Sequence, residues 1–347
     1  MSLKVTTWNI KNSNRLIDNN PTAHELDRRR RVEETISDIE PDILAIVEGP
    51  KGEQGIVDFC STVLNDQWVP VMLKGPNDNI GDRDDDYDIK GTQWMWFVVK
   101  PMILSKCRLQ EAQVWYDFVG KKNWNVNYWG QIKPTDHSHY RLPQVIIYEL
   151  DNGEEIEFIG IHLKSKINNS TITRDQDGNL TGTFLETALK ARVKLATEAR
   201  NIRQYINAKF DQLTNPGIMV LGDGNDGPGQ RYFEYQYLFF DLIQNLQGEV
   251  LEAERYMNHA LFDFKKDLRW TAKFRDKILN IPASQNPLLL DHIFISQPLV
   301  NGSLSLQVNG GNGEVEHQAF QRANAGSIIK TRTSDHIPVS CFLDDNP

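Results

Sequence analysis

Positions Leu3 to Ile10 alternate between apolar and polar residues in the manner of a strand that ends at Trp8-Asn9. Apolar residues at Val32, Ile36 and Ile39 recur at helical spacing and predict a helix from about Glu25 to Ile39, stopped by Pro41. The nearly continuous apolar run Ile43 to Val47 predicts a strand buried on both faces, and it runs into Glu48. A second helix is expected over Lys51 to Leu64, followed by paired strands at Trp94 to Val99 and Ile103-Leu104. Strands Gln144 to Leu150 and Ile156 to Ile161 flank Asp151-Asn152-Gly153 and predict a hairpin, because Asn-Gly readily adopts the backbone of a tight turn. The second of these strands ends at His162.

A polar loop from Asn168 to Gly182 leads into a long amphipathic helix from Leu185 to about Ala208. Ile218 to Leu221 is a predicted buried strand running into Gly222-Asp223-Gly224-Asn225-Asp226-Gly227, and Arg231 to Leu246 is expected to be helical. Leu288 to Leu290 enters Asp291-His292 and the strand Ile293 to Ile295; Val300 to Gly313 is expected to be a hairpin or loop insertion. The chain closes with Ser334-Asp335-His336 and a strand Ile337 to Phe342. Asn77 to Asp88 reads as a solvated acidic loop, and Lys265 to Ile281 gives no assignable pattern. The rings of Val114 to Tyr140 suit either stacking on bases or packing of a hairpin. Strands of both kinds mixed with helices predict an α/β or α+β sandwich without a linker.

Composition sharpens this picture in three ways. At 347 residues, 39% hydrophobic and 24% charged, the chain can bury a large core, and no apolar run reaches the length of a membrane helix. Cys60, Cys107 and Cys341 are scattered, without metal-ligand spacing or a disulfide framework. Met1 to Val5 passes straight into the first strand, so a cytoplasmic protein is the default expectation; a secreted protein after removal of its signal peptide would read the same. The net charge of −9, from 38 basic and 47 acidic residues, argues against tight binding along a nucleic-acid tract but not against contact with a few phosphates through a metal ion.

The chemistry lies at the strand ends. Asn9, Glu48, Arg141, His162, Asp223 with Asn225, Asp291, and Asp335 with His336 all stand there, and packing alone does not ask for them. Glu48 and Asp335 offer hard oxygen ligands of the kind magnesium takes. A histidine oriented by a carboxylate can deprotonate water, and an arginine with a second histidine can hold phosphate oxygens as charge builds. The set therefore suits hydrolysis of a phosphate ester. No zinc cluster, Gly-rich nucleotide loop or G-x-S-x-G elbow competes with that reading.

In this arrangement the chain resembles the endonuclease/exonuclease/phosphatase superfamily, the pancreatic deoxyribonuclease-like enzymes. The resemblance runs in order through Trp8-Asn9, Glu48, Gly222-Asp223-Gly224-Asn225, Leu290-Asp291-His292-Ile293-Phe294 and Ser334-Asp335-His336-Ile337-Pro338-Val339. His162-Leu163-Lys164-Ser165-Lys166 is similar to a His-x-Lys-Ser-Lys stretch of bacterial nucleases in the same superfamily, as is a long helix carrying Arg192. The resemblance implies a four-layer sandwich, two packed mixed β-sheets flanked by helices. It also implies one domain over 1–347, with insertions near 77–90, 167–184 and 226–287.

By the same resemblance, Glu48, Asp335 and Asn9 hold a catalytic Mg2+, for which Mn2+ or Ca2+ could substitute. His336 is the general base, Asp291 orients it, Asp223 and Asn225 position water or phosphate, and His162 assists the phosphate or the leaving oxygen. Arg141, Lys164, Lys166 and Asn9 contact the substrate. The chain departs from the pancreatic pattern at Gly91-Thr92-Gln93-Trp94, where the glutamate partner of His162 is missing. The resemblance leads to a nuclease acting on DNA or RNA, with nucleic acid as partner and a monomeric protein expected. A phosphoesterase for a small molecule or lipid headgroup (phosphoinositide or sphingomyelin type) and a non-catalytic binding module on the same fold are the alternatives.

Overall fold

The structure, a computed structural model, describes residues 2–73, 91–115, 124–127, 134–228, 232–238 and 241–346. The acidic stretch Asn77 to Asp88 and the rings of Tyr116, Tyr128 and Trp129 lie outside the described residues. Two sheets carry the fold. In the first, Ser2–Asn9 lies between Ile43–Gly49, to which it runs parallel, and the closing strand Val339–Asp345, to which it is antiparallel. Trp94–Val99 and Val69–Pro70 extend the Ile43–Gly49 side. In the second, Gly217–Asp223 is parallel to Glu155–His162 and antiparallel to Asp291–Ser296. Gln144–Glu149 and Cys107–Leu109 continue past Glu155–His162, and Met257–His259 pairs with Asp291–Ser296 at the other edge.

The central strands bury both faces, which is why their sequences are nearly all apolar. In Gly217–Asp223, Met219 and Leu221 enter the main core with Trp8, Phe97 and Phe158. Ile218 and Val220 point the opposite way, into a second core with Leu195, Ala199, Ile202 and Ile206 of the long helix Gly182–Gln212. The sheets come close at Gly160, where a Cβ would lie 2.6 Å from the Met95 sulfur. The helices Ala23–Ile39 and Gly52–Val63 add Val32, Ile36, Ile56 and Phe59 to the main core. The result is an α+β fold of helix-flanked mixed sheets, as the sequence predicted.

Local chemistry explains several boundaries. The first helix starts at Ala23, two residues before the predicted Glu25. Thr22 and Glu25 form a capping box, with the Glu25 N–H donating to Thr22 Oγ1 at 3.3 Å and the Thr22 N–H to Glu25 Oε2 at 2.8 Å. The predicted strand at Ile103-Leu104 is instead part of a 3-10 turn, Pro101–Lys106; proline at its first position favours a helical start, and the strand comes later, at Cys107–Leu109. The expected helix Arg231 to Leu246 is broken into a π-turn, Glu234–Leu238, and a short helix, Leu242–Gln247. Asp241 caps the latter by accepting from the N–H groups of Ile243 and Gln244. Val300 to Gly313 does not close on itself as a hairpin: Leu306–Gln307 pairs with the final strand, as does Gly313–Val315. That final strand begins at Val339, two residues after the predicted Ile337. The Asn152-Gly153 hairpin forms in the expected place. Trp115 stacks on Tyr205 at 4.4 Å and the Trp124 ring meets His139 edge-on, so these two rings serve packing. Among the described residues no helix is long and apolar enough to cross a membrane.

One glycine is demanded at the heart of the second sheet. Gly222 has φ +143°, and a Cβ there would lie 2.0 Å from the Ile161 carbonyl oxygen. Gly222→Ala should therefore cost about 3 kcal/mol or more, read by urea denaturation; a loss below about 1 kcal/mol would show that the strand relaxes without strain.

Candidate active site

Strand register assembles the first half of the site. His162 pairs with Asp223, and Asp223 with Asp291, so three polar residues stand side by side across three neighbouring strands. The first sheet supplies the rest from its matching edge: Asn9 ends the opening strand opposite Val47, one residue before Glu48. Asn9 Nδ2 donates to Asp223 Oδ2 at 3.0 Å and joins the two sheets where their polar ends meet.

His336 is fixed from three directions. Its Nδ1 donates to Asp291 Oδ2 at 2.7 Å, which leaves Nε2 for proton exchange. The indole of Trp8 donates to its carbonyl at 3.0 Å. Ser334 accepts the His336 N–H at 3.2 Å while its own hydroxyl donates to the Asn9 carbonyl at 2.6 Å. Arg28 grips the neighbouring Thr333 carbonyl and that of Lys11, tying the first helix to the same turn. Thr271, from the segment without a sequence pattern, accepts the N–H groups of Leu290 and Asp291 with its hydroxyl. An isolated bridge pairs Ala272 with His336.

Burial makes the electrostatics of this corner severe. Asp223, Asp291 and His336 are 2%, 0% and 5% exposed, and each offers a ligand atom within 4.8 Å of the others. Burial works against charge on His336, but Asp291 and Asp223 outweigh it and push the imidazole up to about 10. Burial pushes the Asp223 carboxyl up to about 7, with Asp291 adding to the rise and His336 opposing it. His162 is held well below its ordinary value, by burial first and then by Arg141 and His336. It is therefore neutral, and its 3.9 Å approach to Asp223 is a contact rather than an ion pair.

A relay of side chains runs along the other flank. Arg141 donates to Gln93 Oε1 at 2.7 Å, and Gln93 Nε2 donates to Glu48 Oε2 at 2.6 Å. Glu48 sits at φ 58°, an uncommon conformation for glutamate that is held by Ser13 bonding its carbonyl and by the Asn12 N–H bonding its carboxylate. Gln93 occupies the slot where the sequence lacked a glutamate, and that absence obscured its bridging place. Asp335 pairs with Lys11 at 2.7 Å. Asn225 spends its side-chain amide on the Leu163 carbonyl and its N–H on Asp223, so it shapes the turn beneath the site.

Asn9, Glu48, Arg141, His162, Lys166, Asp223, Asn225, Asp335 and His336 all line one cavity of about 650 Å³. Lys164 does not line it; its N–H is bonded to Glu198 of the long helix. Lys166 lines the cavity paired to Asp226. The sequence also passed over His259 and His292. His259 Nδ1 accepts the Leu261 N–H, so its Nε2 donates to His292 Nδ1 at 3.1 Å, and His292 Nε2 donates to the Asp226 carbonyl at 2.7 Å. That chain braces the Asp226 turn from behind. Cross-strand pairing of buried imidazoles leaves no local sequence signal.

Among solved structures, truncated TDP2 from Caenorhabditis elegans matches with a TM-score of 0.50 at 14% identity, covering 99% of this chain and 97% of that one. The human Nocturnin catalytic domain with bound sulfate gives 0.48 at 14%, covering 99% and 94%. An endonuclease/exonuclease/phosphatase from Bacteroides vulgatus gives 0.45 at 13%, covering 99% of both chains. No protein-family model matches the chain, and no curated protein matches it in sequence. The likeness to truncated TDP2 shows the fold alone, an α+β sandwich of two mixed sheets flanked by helices.

The raised His336 gives a signed expectation for the metal-free protein. A histidine with an ordinary value near 6.5 when unfolded and about 10 when folded adds stability that is complete below the first value and lost as pH rises through the second. The stability advantage of the wild type over His336→Asn should shrink across that window, measured by denaturation at a series of pH values. An advantage that grows with pH would mean that the folded imidazole is neutral.

Proposed function

We propose that the protein is a divalent-metal-dependent phosphoesterase and, within that class, a nuclease hydrolysing DNA or RNA phosphodiester bonds. The observation that supports this most strongly is His336, which lines the same cavity as Glu48, Asn9, Asp335 and the Arg141–Gln93 relay and is held from behind by the fully buried Asp291 at 2.7 Å.

The residues fit a hard cation. Asn9 Oδ1 is a buried acceptor without a partner, and Glu48 and Asp335 line the same cavity with carboxylate oxygens. Glu48, Asp335 and Asn9 would hold the ion. Asp223, Asp291 and His336 are the tightest alternative cluster, but His336 is there spent on Asp291. A bound Mg2+ supplies charge neutralisation at the phosphate and at the leaving oxygen.

The chain's own groups do the rest. His336, once neutral, takes a proton from water at Nε2 while Asp291 fixes the ring and stabilises the imidazolium that forms. The water oxygen bonds to phosphorus, the ester P–O bond breaks, the leaving oxygen takes a proton from solvent, and the His336 imidazolium returns its own proton to solvent. Arg141 faces the phosphate oxygens, and neutral His162 donates a hydrogen bond to them. Asp291 and Asp223 are the main groups that hold His336 charged, and a cation held nearby by Glu48, Asp335 and Asn9 would oppose them and ease release of the proton.

The −9 charge favours the second reading, a phosphoesterase for a small ester. A turnover panel separates the two: plasmid DNA, single-stranded DNA, RNA, bis-p-nitrophenyl phosphate and phosphoinositide headgroups, each with magnesium. Polynucleotide cleavage is expected, and His336→Ala should lower turnover by at least about a hundredfold with little change in binding; near-normal turnover in that variant removes His336 from the base role. Glu48→Gln should raise the magnesium concentration needed for half-maximal activity by about tenfold or more, and an unchanged requirement would move the ion elsewhere.

A further inference from the structure

Beyond His336 the cavity changes character. Its wall passes from carboxylates and amides to Phe274, Tyr232, Phe184 and Arg192, supplied by the long helix and by the segments expected as insertions near 167–184 and 226–287. Phe184 and Phe233 are nearly fully buried and belong to a small aromatic core, so packing accounts for them. Half-buried Tyr232 packs against that core on one side and still lines the cavity, whereas half-buried Phe274 lines the cavity and belongs to none of the hydrophobic cores. The Phe274 ring lies 5.8 Å from the His336 ring, next to the group placed at the reacting water. Tyr232 meets Phe233 edge-on at 5.6 Å, and the Arg192 guanidinium sits over the Phe233 ring at 4.1 Å.

We propose that this part of the cavity is a subsite for one nucleobase, attached to the phosphate held at the Asn9–His336 corner. The inference rests on the phosphoesterase reading and deepens it to a substrate class and a mode of entry. Aromatic rings accept any base through its π-face, and the nearby guanidinium favours the anionic chain that follows it. An acyl chain would gain nothing from Arg192 or Lys166 on the same wall, and an ester without a ring would leave Phe274 and Tyr232 uncovered. At about 650 Å³ the cavity has the size of a small-molecule site rather than a duplex groove. With a net charge of −9, the chain also lacks the electrostatic means to hold a long tract. A nucleic acid would thus enter by a single unstacked or terminal nucleotide.

Calorimetry on the full chain in EDTA tests this without turnover, using adenosine 5′-monophosphate, thymidine 5′-monophosphate and ribose 5-phosphate as probes. Both nucleotides should bind at least about tenfold more tightly than ribose 5-phosphate, and Phe274→Leu should bring that ratio to within about twofold. Tyr232→Leu, a change on a different element, should also lower it. Equal binding of nucleotide and ribose 5-phosphate by the wild type overturns the subsite, as does a ratio that survives both substitutions. The two readings fail separately. His336-dependent cleavage of bis-p-nitrophenyl phosphate with no preference for the base removes the subsite alone. A clear base preference in a protein that cleaves nothing keeps the subsite and removes the phosphoesterase.

Discussion

Two aspartates and a histidine share a corner that water scarcely reaches, and a charge so buried is tolerable only when it is paired. Removing one member leaves the others uncompensated at a cost of about 3–5 kcal/mol, so the cluster constrains everything around it. Asp291 must start its strand where it does, Asp223 must end its own strand opposite, and His336 must reach both from the far end of the chain. The Asn9–Asp223 hydrogen bond carries the same constraint across to the first sheet.

Much of the remaining architecture reads as support for that corner. Trp8 and Ser334 lock the turn that carries His336 to the opening strand, although they lie more than three hundred residues apart in sequence. Gly222 lets its strand pass close to Ile161 so that Asp223 emerges beside His162. Thr271 and the His259–His292 chain brace the turns that lead into Asp291 and out of Asp223. The geometry is expensive to build and easy to break. That fits a site whose groups must hold proton affinities far from those they have in water.

The strand ends were legible because period-two and continuous apolar runs mark where a buried strand stops, and a polar residue just past the stop is conspicuous. Asn9, Glu48, His162 and Asp223 were legible that way, His336 as a polar residue just ahead of the closing strand, and all five converge on one cavity. Lys164 shows the limit of the method: its neighbour Lys166 faces the cavity and it does not, because the loop is turned by a backbone bond to Glu198 far along the chain. Gln93, Thr271 and His259 were silent for the same reason, since each matters only through a partner remote in sequence. Local signals also misplaced Ile103-Leu104, where Pro101 starts a turn, and the helix before Asp241, where a cap restarts it.

The central claim is that this cluster prepares water for attack on phosphorus. Its most direct test is turnover of bis-p-nitrophenyl phosphate with magnesium in water labelled with heavy oxygen, followed by mass spectrometry of both products. The account predicts that the label appears in the phosphate monoester and not in the nitrophenol, and that His336→Ala abolishes its appearance. Label in the nitrophenol, or labelled product formed equally well without His336, would contradict it.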